Sequence, residues 1–130
     1  MQRSNLLVVT KEMTEDLKAT VTELGVGTVI YPELKEALLN LQRETFLSML
    51  LDIRHLRNND DVLEMVVNIR DANSSIPILI YGNASEKTKR QLMLCTHYNF
   101  GPIYLIEENG SIRKFGQTAK KSNSIKGSSK

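Results

Sequence analysis

Short apolar runs alternate along this chain with longer segments in which apolar residues recur every three or four positions. The runs are rich in Val, Ile and Leu, and they occupy residues 5–10, 26–31, 45–53, 76–82 and 102–107. An unbroken apolar run of this length is typical of a strand that is buried on both faces of a parallel sheet. The pattern therefore predicts five strands.

Each of the four intervals between these runs has the spacing of an amphipathic helix. The predicted inner faces are Met13, Leu17, Val21 and Leu24; Leu34, Leu38 and Leu41; Val62, Val66 and Ile69; and Ala84, Thr88, Leu92 and Cys95. The predicted helix ends are Gly25 as a C-cap, Pro32 as a first helical residue and Asn59 or Asp60 as an N-cap. This alternation predicts an α/β fold, a flavodoxin-like three-layer sandwich around a five-stranded parallel sheet.

The end of the chain departs from this alternation. Asn109-Gly110 stands between the fifth run and a second short apolar segment, and Asn-Gly is a strong signal for a tight hairpin. A helix here would have to include Gly110 and Gly116, each at a cost of about 1 kcal/mol relative to Ala. We therefore expect residues 111–115 to return as an antiparallel edge strand that replaces the last helix.

Charge divides the chain into an acidic body and a basic tail. Residues 1–108 contain all fifteen acids and carry a net charge of −4, whereas residues 109–130 carry +6. We expect one domain over residues 1–116, followed by a flexible tail or linker over 117–130 that has too little apolar surface to fold. The tail lysines are also suited to contacts with nucleic-acid phosphates.

The remaining composition excludes several classes of protein. No apolar stretch is long enough to cross a bilayer, the start of the chain lacks the features of a signal peptide, and we expect no membrane partner. The single Cys95 cannot form an internal disulfide, and one Cys with two His residues makes no metal cluster. We expect a cytoplasmic protein without a metal or other cofactor.

One acid stands at the end of the third predicted strand. Asp52 there, Pro77 at the start of the fourth strand and "YLIEE" at the fifth together give a chain that resembles the receiver domain of bacterial two-component response regulators. The resemblance covers about residues 5–108. It implies that Asp52 corresponds to the aspartate that accepts a phosphoryl group.

The positions around Asp52 depart from the receiver pattern. The two acids that hold Mg²⁺ in receivers correspond to Thr10 and Lys11, with Glu12 one position late. The hydroxyl residue that ends strand four corresponds to Gly82. Because an aspartyl phosphate needs a divalent cation to offset charge, the pocket is predicted to be degenerate and Asp52 vestigial.

At the remaining receiver position the charge of the side chain is reversed. The lysine that follows strand five in receivers corresponds to Glu107, which places an anion where a cation would meet the phosphoryl group. Lys11 could itself replace the metal cation by pairing with Asp52 or Glu107. These changes predict a pseudo-receiver with no catalytic residue and no enzymatic turnover.

The predicted activity is therefore protein–protein interaction in bacterial signalling or transcription control. The resemblance places the interface, for a homodimer or another protein, at Ile103, Tyr104 and Leu105, which we expect to be partly bare without a last helix. One alternative is an authentic phosphoacceptor in which Glu12 and Glu107 help to hold Mg²⁺ beside Asp52. Another is a nucleic-acid-associated protein that binds through its basic tail.

Overall fold

The computed structural model describes residues 5–24, 27–56, 61–97, 101–108 and 110–115. Strands and helices alternate in the described residues up to a final pair of strands. The elements are β1 (Asn5–Val9), α1 (Glu15–Glu23), β2 (Thr28–Tyr31), α2 (Leu34–Arg43), β3 (Phe46–Asp52), α3 (Asp61–Ala72), β4 (Ile78–Tyr81), α4 (Glu86–His97), β5 (Ile103–Ile106) and β6 (Ile112–Phe115). Each predicted strand and helix is present, with shifts of a few residues at the ends.

The strands form a single sheet in the order β2-β1-β3-β4-β5-β6. The first five strands pair in parallel, and β6 pairs antiparallel with β5. The predicted doubly wound α/β fold is confirmed, and the hairpin adds a sixth strand at the edge of the described sheet. The strand order reverses between β1 and β3, which is where doubly wound sheets open a crevice at their carboxyl edge.

Successive strand residues point to opposite faces, and the two faces are covered by different helices. Leu7, Met49 and Leu51 pack on the face covered by α2, α3 and α4. Leu6, Val8, Leu50, Tyr81 and Ile106 pack on the opposite face with Leu17 and Val21 of α1. These three layers are the predicted sandwich.

The chain turns back after β5 through a short hairpin. Glu107 N donates to Ser111 O at 2.9 Å, and Gly110 N donates to Glu107 O at 2.8 Å. Gly110 has φ 95°, a left-handed conformation that favours glycine. The predicted return strand is therefore confirmed, although Asn109 itself lies outside the described residues.

Two helix-boundary predictions are wrong. Helix α2 begins at Leu34 after Glu33 as its N-cap, so Pro32 precedes the helix. Leu24 was predicted on the inner face of the first helix, but it is the C-cap residue of α1. It lies beyond the last helical turn and is 41% exposed. Gly25, Asn59, Asp60 and the tail over 117–130 lie outside the described residues.

The prediction that Ile103 and Leu105 are partly bare is also wrong. Both are buried on the α2–α4 face, where Ile103 lies opposite Phe115 across the β5–β6 pair. Of the three residues, Tyr104 points to the opposite face. It is half-buried, with Lys114 Nζ 5.7 Å from its ring centre. Ile103 and Leu105 are thus core residues and present no surface to a partner.

The last turn of α3 carries a buried arginine that the sequence pattern did not indicate. Arg70 Nη1 donates to Ile76 O at 2.6 Å, and Nη2 donates to Pro102 O at 3.2 Å. Burial lowers the pKa of Arg70 to about 10, so the side chain stays charged at neutral pH. It ties the segments that enter β4 and β5 to α3.

No helix within the described ranges is both long enough and apolar enough to cross a membrane.

Candidate functional site

Asp52 is the last residue of β3 and lies at the carboxyl edge of the sheet beside the end of β1. Its side chain is 1% exposed. Thr10 follows β1 directly, and its hydroxyl donates to Asp52 Oδ2 at 2.6 Å. The predicted proximity of Thr10 and Asp52 is therefore present at the point where the strand order reverses.

The carboxylate of Asp52 is held from two sides by Arg54. Arg54 Nε donates to Oδ1 at 2.9 Å, and Arg54 Nη2 donates to Oδ2 at 2.8 Å. The backbone N–H of Arg54 also donates to Oδ1, at 2.9 Å. With the Thr10 hydroxyl, Asp52 accepts four hydrogen bonds, and a guanidinium paired in this two-point manner is among the strongest partners of a carboxylate.

Arg54 is itself fixed by groups on neighbouring elements. Nη1 donates to Thr14 Oγ1 and Nη2 donates to Glu12 O, both at 2.9 Å. The guanidinium carbon lies 5.1 Å from the centre of the Tyr81 ring. Thr14 also caps α1, so Arg54 connects the ends of β3 and β4 to the start of α1.

The electrostatics of this pair favour a permanent charge on both partners. Burial by itself would raise the pKa of Asp52, but the hydrogen bonds from Arg54 and Thr10 outweigh it and hold that pKa below its usual value. The hydrogen bond to Asp52 raises the pKa of Arg54. Burial raises the pKa of Tyr81, and the nearby Arg54 opposes this change.

Gly82 lies against the same arginine. Its φ is 130°, and its N–H donates to Ile106 O at 3.0 Å. A Cβ at this position would lie 3.0 Å from Ile53 Cγ1 and 3.3 Å from Arg54 Cγ. The glycine at the position of the receiver hydroxyl residue thus provides both the backbone conformation and the room for Arg54.

The cation predicted from the sequence was the wrong one. Lys11 Nζ pairs with Glu33 at 3.1 Å, and both side chains are about 60% exposed, at 61% and 59%. Lys11 makes no ion pair with Asp52 or Glu107 in the described part of the chain. Arg54, two residues after Asp52, makes the ion pair with Asp52 that Lys11 does not make.

The two other predicted acids point to different partners. The Glu12 carboxylate is 64% exposed and lies 3.6 Å from His55 Nε2, while its backbone carbonyl receives Arg54. Glu107 pairs with Lys89 at 3.3 Å and accepts a hydrogen bond from Ser111 Oγ at 3.2 Å. Neither carboxylate is among the groups that bond Asp52.

These residues do not fit a magnesium ion. Mg²⁺ requires carboxylate oxygens that are open to it, and both Asp52 oxygens already receive donors from Arg54. The guanidinium also places a positive charge beside the carboxylate, which repels a second cation. Within the described residues, no group of three or more His, Cys, Asp or Glu side chains is arranged to hold a metal.

A small cavity of about 240 Å³ opens on the other side of the same edge, between the start of α2 and α3. Thr10, Lys11, Glu33, Asp52 and His55 are among its lining residues. Lys11 and Glu33 pair with each other, and His55 lies beside Glu12. The polar side chains named at this opening therefore have partners within the chain.

One signal in the sequence could have identified Arg54. Residues two apart in an extended strand point to the same side, so "DIR" at 52–54 places an acid and a base together at a strand end. Thr10 is two residues after Val8, and Asp52 is two residues after Leu50. Val8 and Leu50 both lie on the face covered by α1, so Thr10 and Asp52 point to that face as well. Lys11 follows the opposite orientation, which directs it towards α2 and Glu33.

Comparison with known proteins finds similarity to solved structures. No family model matches the chain, and no curated protein matches it. The structure is similar to that of the chemotaxis protein CheY4 of Vibrio cholerae, with a TM-score of 0.53 and 19% sequence identity. The similarity covers 68% of this chain and 77% of that chain. The fold is therefore that of a CheY-type receiver.

Proposed function

We propose that this chain is a pseudo-receiver: a protein-interaction module of a bacterial signalling or transcription-regulatory protein that does not use Asp52 as a phosphoacceptor. The receiver fold supports the general class. The observation that carries the proposal is the engagement of both Asp52 oxygens by Arg54, with the Thr10 hydroxyl as a further donor.

The chemistry of phosphoryl transfer explains why this engagement matters. Attack on a phosphoryl donor requires a free carboxylate oxygen and a cation that contacts the incoming phosphoryl oxygens. Arg54 directs four of its five side-chain N–H groups at Asp52, Thr14 and the Glu12 carbonyl, so it neutralises the carboxylate instead of serving an incoming phosphoryl group. Gly82 offers no side-chain hydroxyl, and Glu107 carries the wrong charge.

A module of this kind acts by binding other proteins, and it requires no cofactor and catalyses no reaction. A cytoplasmic location is part of the proposal, because a receiver-like module meets its signalling partners there. The alternative phosphoacceptor requires Glu12 and Glu107 to reach Asp52, and each lies beside another residue, His55 and Lys89. Nucleic-acid binding through residues 117–130 stays a prediction from the sequence.

The test is a titration of the purified chain with Mg²⁺ and beryllofluoride, followed by amide NMR. We expect no saturable shift of the amides of Asp52, Ile53 and Arg54. The Asp52→Asn variant is the matched control, because any shift that it retains does not report on the carboxylate. A saturable change in the native chain that Asp52→Asn abolishes would overturn the proposal.

A second measurement uses a covalent readout. The chain is incubated with Mg²⁺ and acetyl phosphate, and its intact mass is recorded before and after treatment with hydroxylamine, which cleaves acyl phosphates. We expect no phosphoryl adduct. A hydroxylamine-sensitive adduct that is absent from Asp52→Asn would establish the phosphoacceptor instead.

A further inference from the structure

The two outer strands of the sheet differ in how they are protected. In the described residues, β2 and β6 are the first and last strands of the sheet, and each pairs on one side only. An unpaired strand edge invites pairing with another chain, and proteins commonly prevent this with charged residues or proline on the edge. β6 contains Arg113 and Lys114, whereas β2, with the sequence TVIY, contains neither charge nor proline.

The hydrogen bonds of β2 show which backbone groups are free. Leu6 N donates to Gly27 O at 2.8 Å, and Thr10 N donates to Tyr31 O at 3.0 Å. Because the direction alternates along a strand, Gly27, Val29 and Tyr31 face β1. The N–H and C=O groups of Thr28 and Ile30 therefore point away from the sheet.

The side chains at this edge are accessible as well. Thr28 is exposed and Ile30 is 47% exposed. Both line a groove of about 360 Å³ between β2 and α1, together with the apolar residues Met13 and Val21. An extended strand added to β2 would place its alternate side chains over this groove, as in other cases of strand addition.

Symmetry decides which strand fits. In an antiparallel pair that uses both outward residues of each copy, Thr28 lies opposite Ile30 of the second copy, and Val29 lies opposite Val29. This register forms four main-chain hydrogen bonds and brings no charge against a like charge. The groove also contains one acid, Glu15, and one base, Lys18, so a second copy adds no excess of either sign there.

The same construction at β6 is unfavourable. Glu107 N donates to Ser111 O, which fixes Ile112 and Lys114 as the residues with outward backbone groups. The equivalent symmetric register would then place Arg113 directly opposite Arg113 of the second copy. Like charges in this position destabilise a strand pair. Of the two edges, β2 is the one that accepts a copy of itself.

We propose that two copies of this chain associate through their β2 strands, in antiparallel register about Val29, to form one continuous sheet. This association is independent of whether Asp52 accepts a phosphoryl group. Because the paired strands are short, we expect a weak dimer with a dissociation constant of roughly 10 to 100 µM.

The test is sedimentation velocity of the full chain over roughly 5 to 500 µM, a range that spans the expected dissociation constant. We expect a reversible shift from monomer to dimer. Thr28→Pro removes one outward N–H from each copy, at an edge position that tolerates proline, and Ile30→Lys places an ammonium group in the interface. Each variant is expected to weaken the dimer by roughly tenfold or more.

Ile112→Lys is the matched control, because it makes the same change at an exposed isoleucine on the opposite edge. It is expected to leave dimerisation unchanged. Thermal melts of the variants by circular dichroism confirm that each is folded. Amide hydrogen exchange gives a site-specific readout that does not depend on the variants: the N–H groups of Thr28 and Ile30 are expected to gain protection at high concentration, and that of Ile112 is not.

Three results would overturn the proposal: a monomer across the whole range, a dimer that folded Thr28→Pro and Ile30→Lys both leave intact, or a dimer that Ile112→Lys weakens equally. A monomer would leave the proposed function standing, and phosphorylation of Asp52 would leave the dimer standing. The two proposals therefore fail separately.

Discussion

Replacing Arg54 with methionine tests directly what holds the carboxyl edge together. Methionine keeps much of the aliphatic volume and removes the guanidinium, which deletes the bonds from Nε to Oδ1 at 2.9 Å and from Nη2 to Oδ2 at 2.8 Å. Asp52 keeps its bonds from the Thr10 hydroxyl and the backbone N–H of residue 54. The variant thus leaves a buried carboxylate with its charge no longer balanced.

The size of the effect follows from these contacts. A hydrogen bond to a charged group contributes about 1.5–3 kcal/mol, and removing one partner of a buried ion pair costs about 3–5 kcal/mol. Arg54 is 13% exposed, and two donors to Asp52 remain, so we expect a loss of about 2–4 kcal/mol at pH 7. For a chain of this size, that lowers the melting temperature by roughly 10 °C.

The pH dependence gives an independent check. The folded-state pKa of Asp52 is lowered from 3.8, so the stabilisation from the pair is complete above that value and is lost as the pH falls through the lower folded-state pKa. In Arg54→Met, the side-chain hydrogen bonds from Arg54 no longer oppose the effect of burial, so the pKa of Asp52 is expected to rise. The destabilisation of the variant should therefore shrink on acidification from about pH 7 to about pH 4.

Urea unfolding followed by circular dichroism measures these free energies. Arg43→Met is the control, because it makes the same change at an exposed arginine and is expected to stay within about 0.5 kcal/mol of the native chain. A double-mutant cycle with Asp52→Asn should give a coupling of about 1 kcal/mol or more. A loss below about 0.5 kcal/mol at pH 7, or a loss of the same size in the Asp52→Asn background, would refute the reasoning.

Three further variants test the surrounding contacts by the same unfolding assay. Gly82→Ala should lower the free energy of unfolding by about 2–3 kcal/mol, because a Cβ would add close contacts at 3.0 and 3.3 Å to the strain of a positive φ. Gly110→Ala should lower it by only about 1 kcal/mol, because a Cβ there would meet no atom within 4 Å beyond its chain neighbours. Equal losses in the two variants would contradict the argument. Lys11→Ala should change stability by less than about 0.5 kcal/mol, since its pair with Glu33 is exposed; a larger loss would restore Lys11 as a structural cation. Arg70→Lys should cost about 1–3 kcal/mol, because an ammonium cannot reproduce the bonds to the Ile76 and Pro102 carbonyls, and Arg113→Lys at the exposed edge serves as its control.

The overall fold was predictable because each element carries its own local signal. Val62, Val66 and Ile69 recur at helical spacing, and all three are fully buried in α3. The hairpin was predictable from Asn109-Gly110, since one turn position requires the positive φ that Gly110 adopts. These signals depend on a few neighbouring residues and need no knowledge of the tertiary contacts.

The site was less predictable because its contacts depend on which face each side chain points to. Thr10 and Asp52 were placed correctly by the order of the strands alone. The suggested pairing of Lys11 with Asp52 or Glu107 followed from its position in the chain, but strand alternation directs Lys11 away from the α1 face. The same alternation, applied to β5, would have placed Ile103 and Leu105 with the α2–α4 core, where the structure has them.

Arg70 had no comparable signal. Its neighbours Val66 and Ile69 mark the buried face of α3, but an arginine at the end of a helix is most often exposed. It is buried here because the carbonyls of Ile76 and Pro102, which lie on separate segments, converge on its guanidinium. Such a contact exists only once the sheet has formed.

The Arg54 contact also limits how this chain can be regulated. A ligand shifts a conformational equilibrium only by its differential affinity for two states. Any ligand that acted on Asp52 would first have to displace four hydrogen bonds and separate a buried ion pair, at a cost of several kcal/mol that its own contacts must exceed. The outward backbone groups of Thr28 and Ile30 belong to no ion pair, so an added strand has only to replace the water at groups that have no partner within the described sheet. The association proposed at β2 would therefore leave the Arg54–Asp52 pair intact, whereas phosphorylation of Asp52 would have to break it.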